Sequence, residues 1–295
     1  MMGQKIIFYN HYHNGDLHYT KPLVRDLMSQ LPNSEFSYAH LNGYWVVRDL
    51  NIPQGPFNTS AISDHATILY GPDAVLVNTW LGTYLKVFNQ AEVTWNFYYK
   101  FYCEIIRLLN NMFHLNLMPK PQDEFWLPTT DYSYYAIDNA KEFDRIEKRK
   151  KILISNGPGM SKQIPEFNSD MSEMIRFIAE KHQDKMFIVT KRFEHKQNNI
   201  ISTTEINKLN RTDLNEIGYI STFCDVIIGR DSGPFCFTHT RENLMNPNKT
   251  FMSFSKDPDI TCFFYGSYDK LKCKFIGHKF TGVQDLQDKI ESLIA

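Results

Sequence analysis

Two short apolar runs in this chain each break off into a polar turn that carries glycine. The first, Lys5-Ile6-Ile7-Phe8-Tyr9, gives way to Asn10-His11-Tyr12-His13-Asn14-Gly15-Asp16. The second, Ile152-Leu153-Ile154-Ser155, gives way to Asn156-Gly157-Pro158-Gly159. A short unbroken apolar run reads as a strand buried on both faces. Such strands need helices above and below, which confines the chain to α/β layers. Leu17, Leu23, Val24, Leu27, Met28 and Leu31 follow the first turn at helical spacing, and 35–40 reads as the next strand. Further strands are expected at 74–79, 186–190, 199–203, 225–229 and 251–254, and helices at 91–114, 169–182, 213–223 and 283–294. A Pro/Gly/Asn loop is expected at 51–60 and an irregular stretch at 118–135. A charge-dense run, 141–151, separates two halves of this alternation. The 295 residues leave room for two domains, divided here as 1–140 and 141–295. The expected fold is α/β, with two Rossmann-like domains facing across a cleft.

Composition narrows the function classes. Lys plus Arg total 32 against 33 Asp plus Glu, so no basic field covers the chain and a nucleic-acid partner is not expected. No run approaches the ~20 apolar residues of a membrane span, and 6–9 is too short for a signal sequence. Five cysteines, an odd number without a C-x-x-C pair, read as reduced thiols. A cytoplasmic location follows, in which the sequons at Asn58, Asn210 and Asn248 carry no glycan. Aromatic residues reach 14%, which serves either a core or the lining of a sugar or base site. The dense stretch 95–102 is read first as core.

In open α/β sheets ligands sit outside the carboxyl ends of the strands, so the turns there hold the candidate chemistry. In the first turn, Gly15 permits close backbone approach, and Asp16 is either a carboxylate base or a helix cap. His11, His13, Asp16 and His18 all have metal-ligand chemistry, but their spacing matches no metal signature and no metal is expected. In the second turn, Gly157, Gly159 and Lys162 suit a phosphate through backbone N–H groups and a point charge. Neither G-x-x-x-x-G-K-[ST] nor G-x-G-x-x-G is present, and an ordinary surface loop is the alternative. The third turn, Asp231-Ser232-Gly233-Pro234, follows a buried strand and suits either a helix cap or an anion site.

Taken in order, these three segments resemble the ADP-heptose:lipopolysaccharide heptosyltransferase family, glycosyltransferase family 9. The resemblance rests on Gly15-Asp16 followed by a helix with an early Pro22, and on Leu31-Pro32-Asn33-Ser34 leading into strand two. It continues with Lys162-Gln163-Ile164-Pro165 for a K-x-W-P element, and with Asp231-Ser232-Gly233-Pro234 for D-[ST]-G-P. The chain departs from the pattern at Ile164, where the family has Trp, and at Cys236, where it has His. His11, Tyr12 and His13 stand where the family has small residues.

The resemblance implies a GT-B fold and a metal-independent, inverting transfer without a cofactor, the nucleotide-diphosphate sugar serving as co-substrate. It makes Asp16 the general base, with His11, His13, Asn14 and Gly15 on the side of a glycan or glycolipid acceptor. Lys162 would pair with the donor diphosphate beside Gly157 and Gly159, and the Asp231-Ser232-Gly233 turn would hold donor phosphate or sugar through backbone N–H groups and the Ser hydroxyl. Glu194 falls where the family places a carboxylate near the ribose, and Lys191 and Arg192 are adjacent alternatives for phosphate. A nucleotide-sugar epimerase or hydrolase, a degenerate nucleotide-sugar-binding protein and a nucleic-acid glucosyltransferase remain as other readings. The oligomeric state is left open.

Overall fold

A computed structural model of the chain describes residues 5–41, 43–56, 66–71, 73–83, 97–121, 127–157, 169–209, 214–230, 233–255 and 271–295. The described residues divide into two compact units, one ending at Thr129 and the other beginning at Thr130. The division precedes the expected 140/141 because residues 131–146 pack on the second unit. There Tyr132 meets the Tyr219 ring edge-on at 5.2 Å, and Phe143 lies 6.4 Å from Phe223.

The first unit holds β1 (Lys5–Tyr9), α1 (Asn14–Gln30), β2 (Glu35–Ala39), a 3-10 stretch (Tyr44–Leu50), β3 (Ile68–Tyr70), β4 (Val75–Asn78) and α2 (Phe97–Phe113). The sheet runs β2-β1-β4-β3. β1 is parallel to both neighbours, pairing Tyr9 with Ala39 and with Asn78, and β3 closes the sheet antiparallel to β4. Ile6 and Phe8 on one face of β1 and Ile7 and Tyr9 on the other are all buried, as double-faced burial demands.

On α2, Tyr98, Phe101, Tyr102, Ile105, Ile106 and Leu109 are buried at intervals of three and four, so this aromatic stretch is core. Its buried hydroxyls are satisfied. The Tyr98 hydroxyl receives the Leu23 N–H at 3.4 Å beside Pro22, and the Tyr102 hydroxyl donates to Asp26 at 2.7 Å. Residues 91–96 of the expected helix, Trp95 among them, lie outside the described residues.

Charge also holds α1 in place. Lys21 is fully buried and pairs with Asp49 at 2.8 Å, and Arg25 reaches the other oxygen of Asp49 at 2.7 Å. Burial lowers the Lys21 pKa, and Asp49 partly restores it.

The second unit contains α3 (Asp138–Ile146), β5 (Lys150–Ile154), α4 (Ser172–Lys181), β6 (Lys185–Val189), β7 (Ile200–Ser202), α5 (Thr203–Asn207), α6 (Leu214–Thr222), β8 (Val226–Gly229), α7 (Gly233–Cys236), α8 (Arg241–Leu244), β9 (Thr250–Ser255), β10 (Lys274–Lys279) and α9 (Val283–Ile294). Its sheet is parallel throughout, ordered β10-β9-β8-β5-β6-β7. Ile152, Ile154, Phe187, Val189, Ile228 and Met252 form the sheet side of the core, against Ile175 and Ile178 of α4 and Leu286 and Ile290 of α9. Lys249 enters β9 with its ammonium bonded to the carbonyls of Ser221, Thr222 and Cys224 at 2.7–2.8 Å, which caps the end of α6. Cys103, Cys224, Cys236 and Cys273 are free thiols. Among the described residues no helix is long and apolar enough to cross a membrane.

The buried Lys21–Asp49–Arg25 cluster generates a stability prediction. Asp49→Ala strands Lys21 as an unpaired buried charge and should cost about 3–5 kcal/mol in urea unfolding. Lys21→Met leaves Asp49 with Arg25 and should cost clearly less.

Candidate active site

In the first unit, β1 ends at Tyr9 and the chain turns through residues 10–13 into α1. Asn10 is wholly buried, and its Oδ1 receives the Tyr12 N–H at 2.9 Å. Among the described residues its Nδ2 has no partner. His13 occupies the helix cap position without a side-chain cap bond, and the Asp16 N–H donates to the His13 carbonyl at 3.1 Å. Asp16 therefore lies inside the first helical turn and is not the cap. Asn14 lies close to Gly43, where a Cβ would come within 2.8 Å of its Oδ1.

Asp16 is half-buried, and burial pushes its carboxyl up to about 7. Helix N-terminal position favours the charged form, but here desolvation outweighs it. The Thr20 hydroxyl donates to the Asp16 carbonyl at 2.7 Å. Beneath lies Tyr38, fully buried, its hydroxyl 2.5 Å from Thr79 Oγ1. Burial raises the Tyr38 pKa above the ordinary phenol range, and the Asp16 charge adds to the rise, so the two groups feel each other. His40 is held neutral, pushed down to about 4 by burial and by His11. Its Nδ1 accepts the Gly43 N–H at 2.6 Å.

The same strand edge carries a cluster of rings. Tyr12 lies 3.9 Å from His11 and 4.0 Å from Trp80, and His11 lies 6.0 Å from Trp80. Trp80 follows β4, where its N–H donates to Asn78 Oδ1 at 2.9 Å. Its indole lies over Gly82, where any Cβ would overlap the ring.

In the second unit, β5, β6 and β8 bring their carboxyl ends together. Asn156 staples β5 to β6, donating to the Lys191 carbonyl and accepting the Lys191 N–H, both at 2.8 Å. Arg230, just past β8 and 2% exposed, donates from Nη2 to the Gly157 carbonyl. Burial lowers its pKa. Gly229 has no room for a side chain, because a Cβ would overlap Phe235 of α7, which begins at Gly233.

Sequence-predicted residues thus sort in three ways. His11, His13, Asn14, Gly15 and Asp16 lie together on one turn, and Gly157 and Gly233 lie at neighbouring strand ends. Arg192 and Glu194 stand apart and exposed beyond β6. Arg192 pairs with Glu205 at 3.2 Å, and the Glu194 carbonyl accepts from Arg176 at 2.6 and 2.9 Å. Gly159, Lys162, Asp231 and Ser232 lie outside the described residues. Among those described, no group of three His, Cys, Asp or Glu could hold a metal. Arg230, Asn10 and Trp80 were not singled out from sequence. The usable signal for Arg230 was an arginine set directly after a run of buried strand residues.

The histidine that stands in this neighbourhood, His239, is core. It meets Phe235 at 4.6 Å, Phe251 at 5.6 Å and Phe275 at 5.9 Å, each edge to face. Burial pushes it down to about 3, so it stays neutral.

No family model matches the chain, and no curated protein does. Solved structures do. One is the glycosyl transferase family 9 protein from Veillonella parvula DSM 2008, at 11% identity over 98% of this chain and 89% of that one, with a TM-score of 0.50. Another is the glycotransferase of kitacinnamycin, at 12% identity over 99% and 90%, also at 0.50. A third, named only provisionally as a UDP-N-acetylglucosamine 2-epimerase from Listeria monocytogenes, is 10% identical over 100% and 88%, again at 0.50. At these identities the likeness is one of fold: two Rossmann-like units of the GT-B kind, shared with glycosyltransferases of family 9.

Proposed function

We propose that the chain transfers a sugar from a nucleotide-diphosphate donor to a hydroxyl of a glycan or glycolipid, with inversion and without a metal. The observation that carries this reading is a carboxyl held near neutrality beside the carboxyl ends of the parallel strands β1, β2 and β4. A base with a pKa of about 7 is matched to deprotonating an alcohol at physiological pH. Asp16 takes the acceptor proton as the acceptor oxygen attacks the anomeric carbon. The anomeric C–O bond breaks on the opposite face, and the nucleoside diphosphate leaves with the electron pair. In-line displacement of this kind inverts the anomeric centre.

In the same reading the second unit receives the donor. Lys162 and backbone groups at Gly157 and Gly159 hold the diphosphate, the Asp231-Ser232-Gly233 turn holds donor phosphate or sugar through backbone N–H groups and the Ser hydroxyl, and Glu194 and Arg192 serve the nucleoside side. Arg230 ties the Gly157 turn to the β8 end and supplies a further positive charge. A cytoplasmic location, where nucleotide sugars are made, belongs to this proposal.

The fold likeness to an epimerase supports a second reading, in which the donor alone is the substrate. Product analysis with and without acceptor separates the two.

Three outcomes are expected. Asp16→Asn should lower transfer about 10²–10⁴-fold with donor affinity unchanged; full activity in that variant removes Asp16 from the mechanism. The wild-type kcat/KM should rise with pH and level off above about 7, because the protonated carboxyl below that value cannot accept a proton. Arg230→Gln should weaken donor binding by about 1.5–3 kcal/mol, the usual loss of a charged hydrogen bond, read by calorimetry or donor-induced thermal shift.

A further inference from the structure

We infer that Tyr12, His11 and Trp80 form a stacking platform for an uncharged pyranose ring of the acceptor. The inference rests on the transfer reading above and names the acceptor class of that same site. Its starting point is a contrast between two sets of aromatic rings in the first unit. Tyr98, Phe101 and Tyr102 are at most 1% exposed and fill the core. Tyr12 is 41% exposed at the polar edge of the sheet, four residues before Asp16 and just ahead of α1.

The platform is built before any ligand arrives. The Tyr12 backbone is pinned by the buried Asn10, and Trp80 by Asn78, each through a 2.9 Å bond. Asn78 is itself fixed, donating to Thr83 Oγ1 at 2.7 Å. Gly82 makes room for the indole, which a side chain at that position would displace. Rings held in this way bind at low entropic cost.

A pyranose offers an apolar face of C–H groups and a rim of hydroxyls. The ring faces suit the first. For the second, the edge supplies His13 and Asp16. Charge selects between acceptors. Neither 9–18 nor 75–83 contains a lysine or arginine, and Lys21 is consumed by Asp49. Among the described residues, these two segments offer a phosphorylated acceptor no lysine or arginine, so the site fits a neutral sugar.

The test uses the full chain and two sets of probes: methyl pyranosides of glucose, galactose, mannose and N-acetylglucosamine, and the 6-phosphates of the same sugars. Binding is read by saturation-transfer NMR and by tryptophan fluorescence, and donor affinity is measured separately on each variant. At least one neutral pyranoside should bind. Tyr12→Ala should weaken it roughly tenfold or more, and Tyr12→Phe, which keeps the ring, should restore it. Trp80→Phe should remove most of the fluorescence change while the fold stays intact. Three results would overturn the platform: no pyranoside binds the wild type, Tyr12→Ala binds as the wild type does, or the 6-phosphates bind tenfold tighter than the neutral sugars. Failure of all nucleotide-diphosphate sugars to bind would instead strike the transfer reading, whatever the pyranosides do.

Discussion

Parallel pairing governs where polar chemistry can stand in this chain. A strand with parallel neighbours and helices on both faces has no side to give to water. β1, β5 and β6 open on lysine and then run apolar to their carboxyl ends, β8 is apolar up to Gly229, and polar residues return where the strands end. Those stops are in register. Tyr9 is level with Asn78, and Ile154 with Val189 and Ile228, so each sheet expels its polar turns along one edge. The clustering of Asp16, His11 and Trp80, or of Gly157 and Arg230, follows from this rule of layering.

Three aspartates of the first unit show how the presence of a partner separates structure from chemistry. Asp49 is buried and answered by Lys21 and Arg25. Asp26 is buried and answered by Tyr102, Gln30 and Lys120. Asp16 is partly buried, and desolvation governs its ionisation. Partners spend the first two on holding α1 in place, whereas the third keeps a proton equilibrium near neutrality. A pKa set by burial is also readily changed, since any ligand that excludes water from the edge acts on it directly.

The fold was largely legible because its strands are short apolar runs and its helices amphipathic. The α9 boundaries, Val283–Ile294, match the sequence reading, and five of the six strands in the second sheet were visible as runs. The sixth, β10, escaped because Lys274, His278 and Lys279 dilute an edge strand with charge. The charge-dense 141–151 run was read as the divide between the halves, and its first half belongs to α3, stitched by Asp138–Lys141 and Glu142–Arg145 pairs one turn apart. Lys21 and Arg230 were harder still. Lysine and arginine are almost never buried, and only the tertiary partner, Asp49 or the Gly157 carbonyl, makes burial affordable. The candidate turns were readable from glycine and strand ends, but the ring cluster was not, because Tyr12 and Trp80 come from strands distant in sequence.

Tyr38 joins two jobs that usually sit on different residues. Its backbone seals the free edge of β2, donating to Pro53 at 3.0 Å and accepting from Gly55 at 2.9 Å. Gly55 fits there because a Cβ would come within 2.8 Å of Ser37 Oγ. Its hydroxyl meanwhile reaches Thr79 and feels the charge of Asp16. Local opening of the 53–55 strap would therefore free the edge of β2 at the residue whose hydroxyl reaches Thr79. The margin of the sheet and the candidate site thus share one residue, and amide exchange at Tyr38 would report on both.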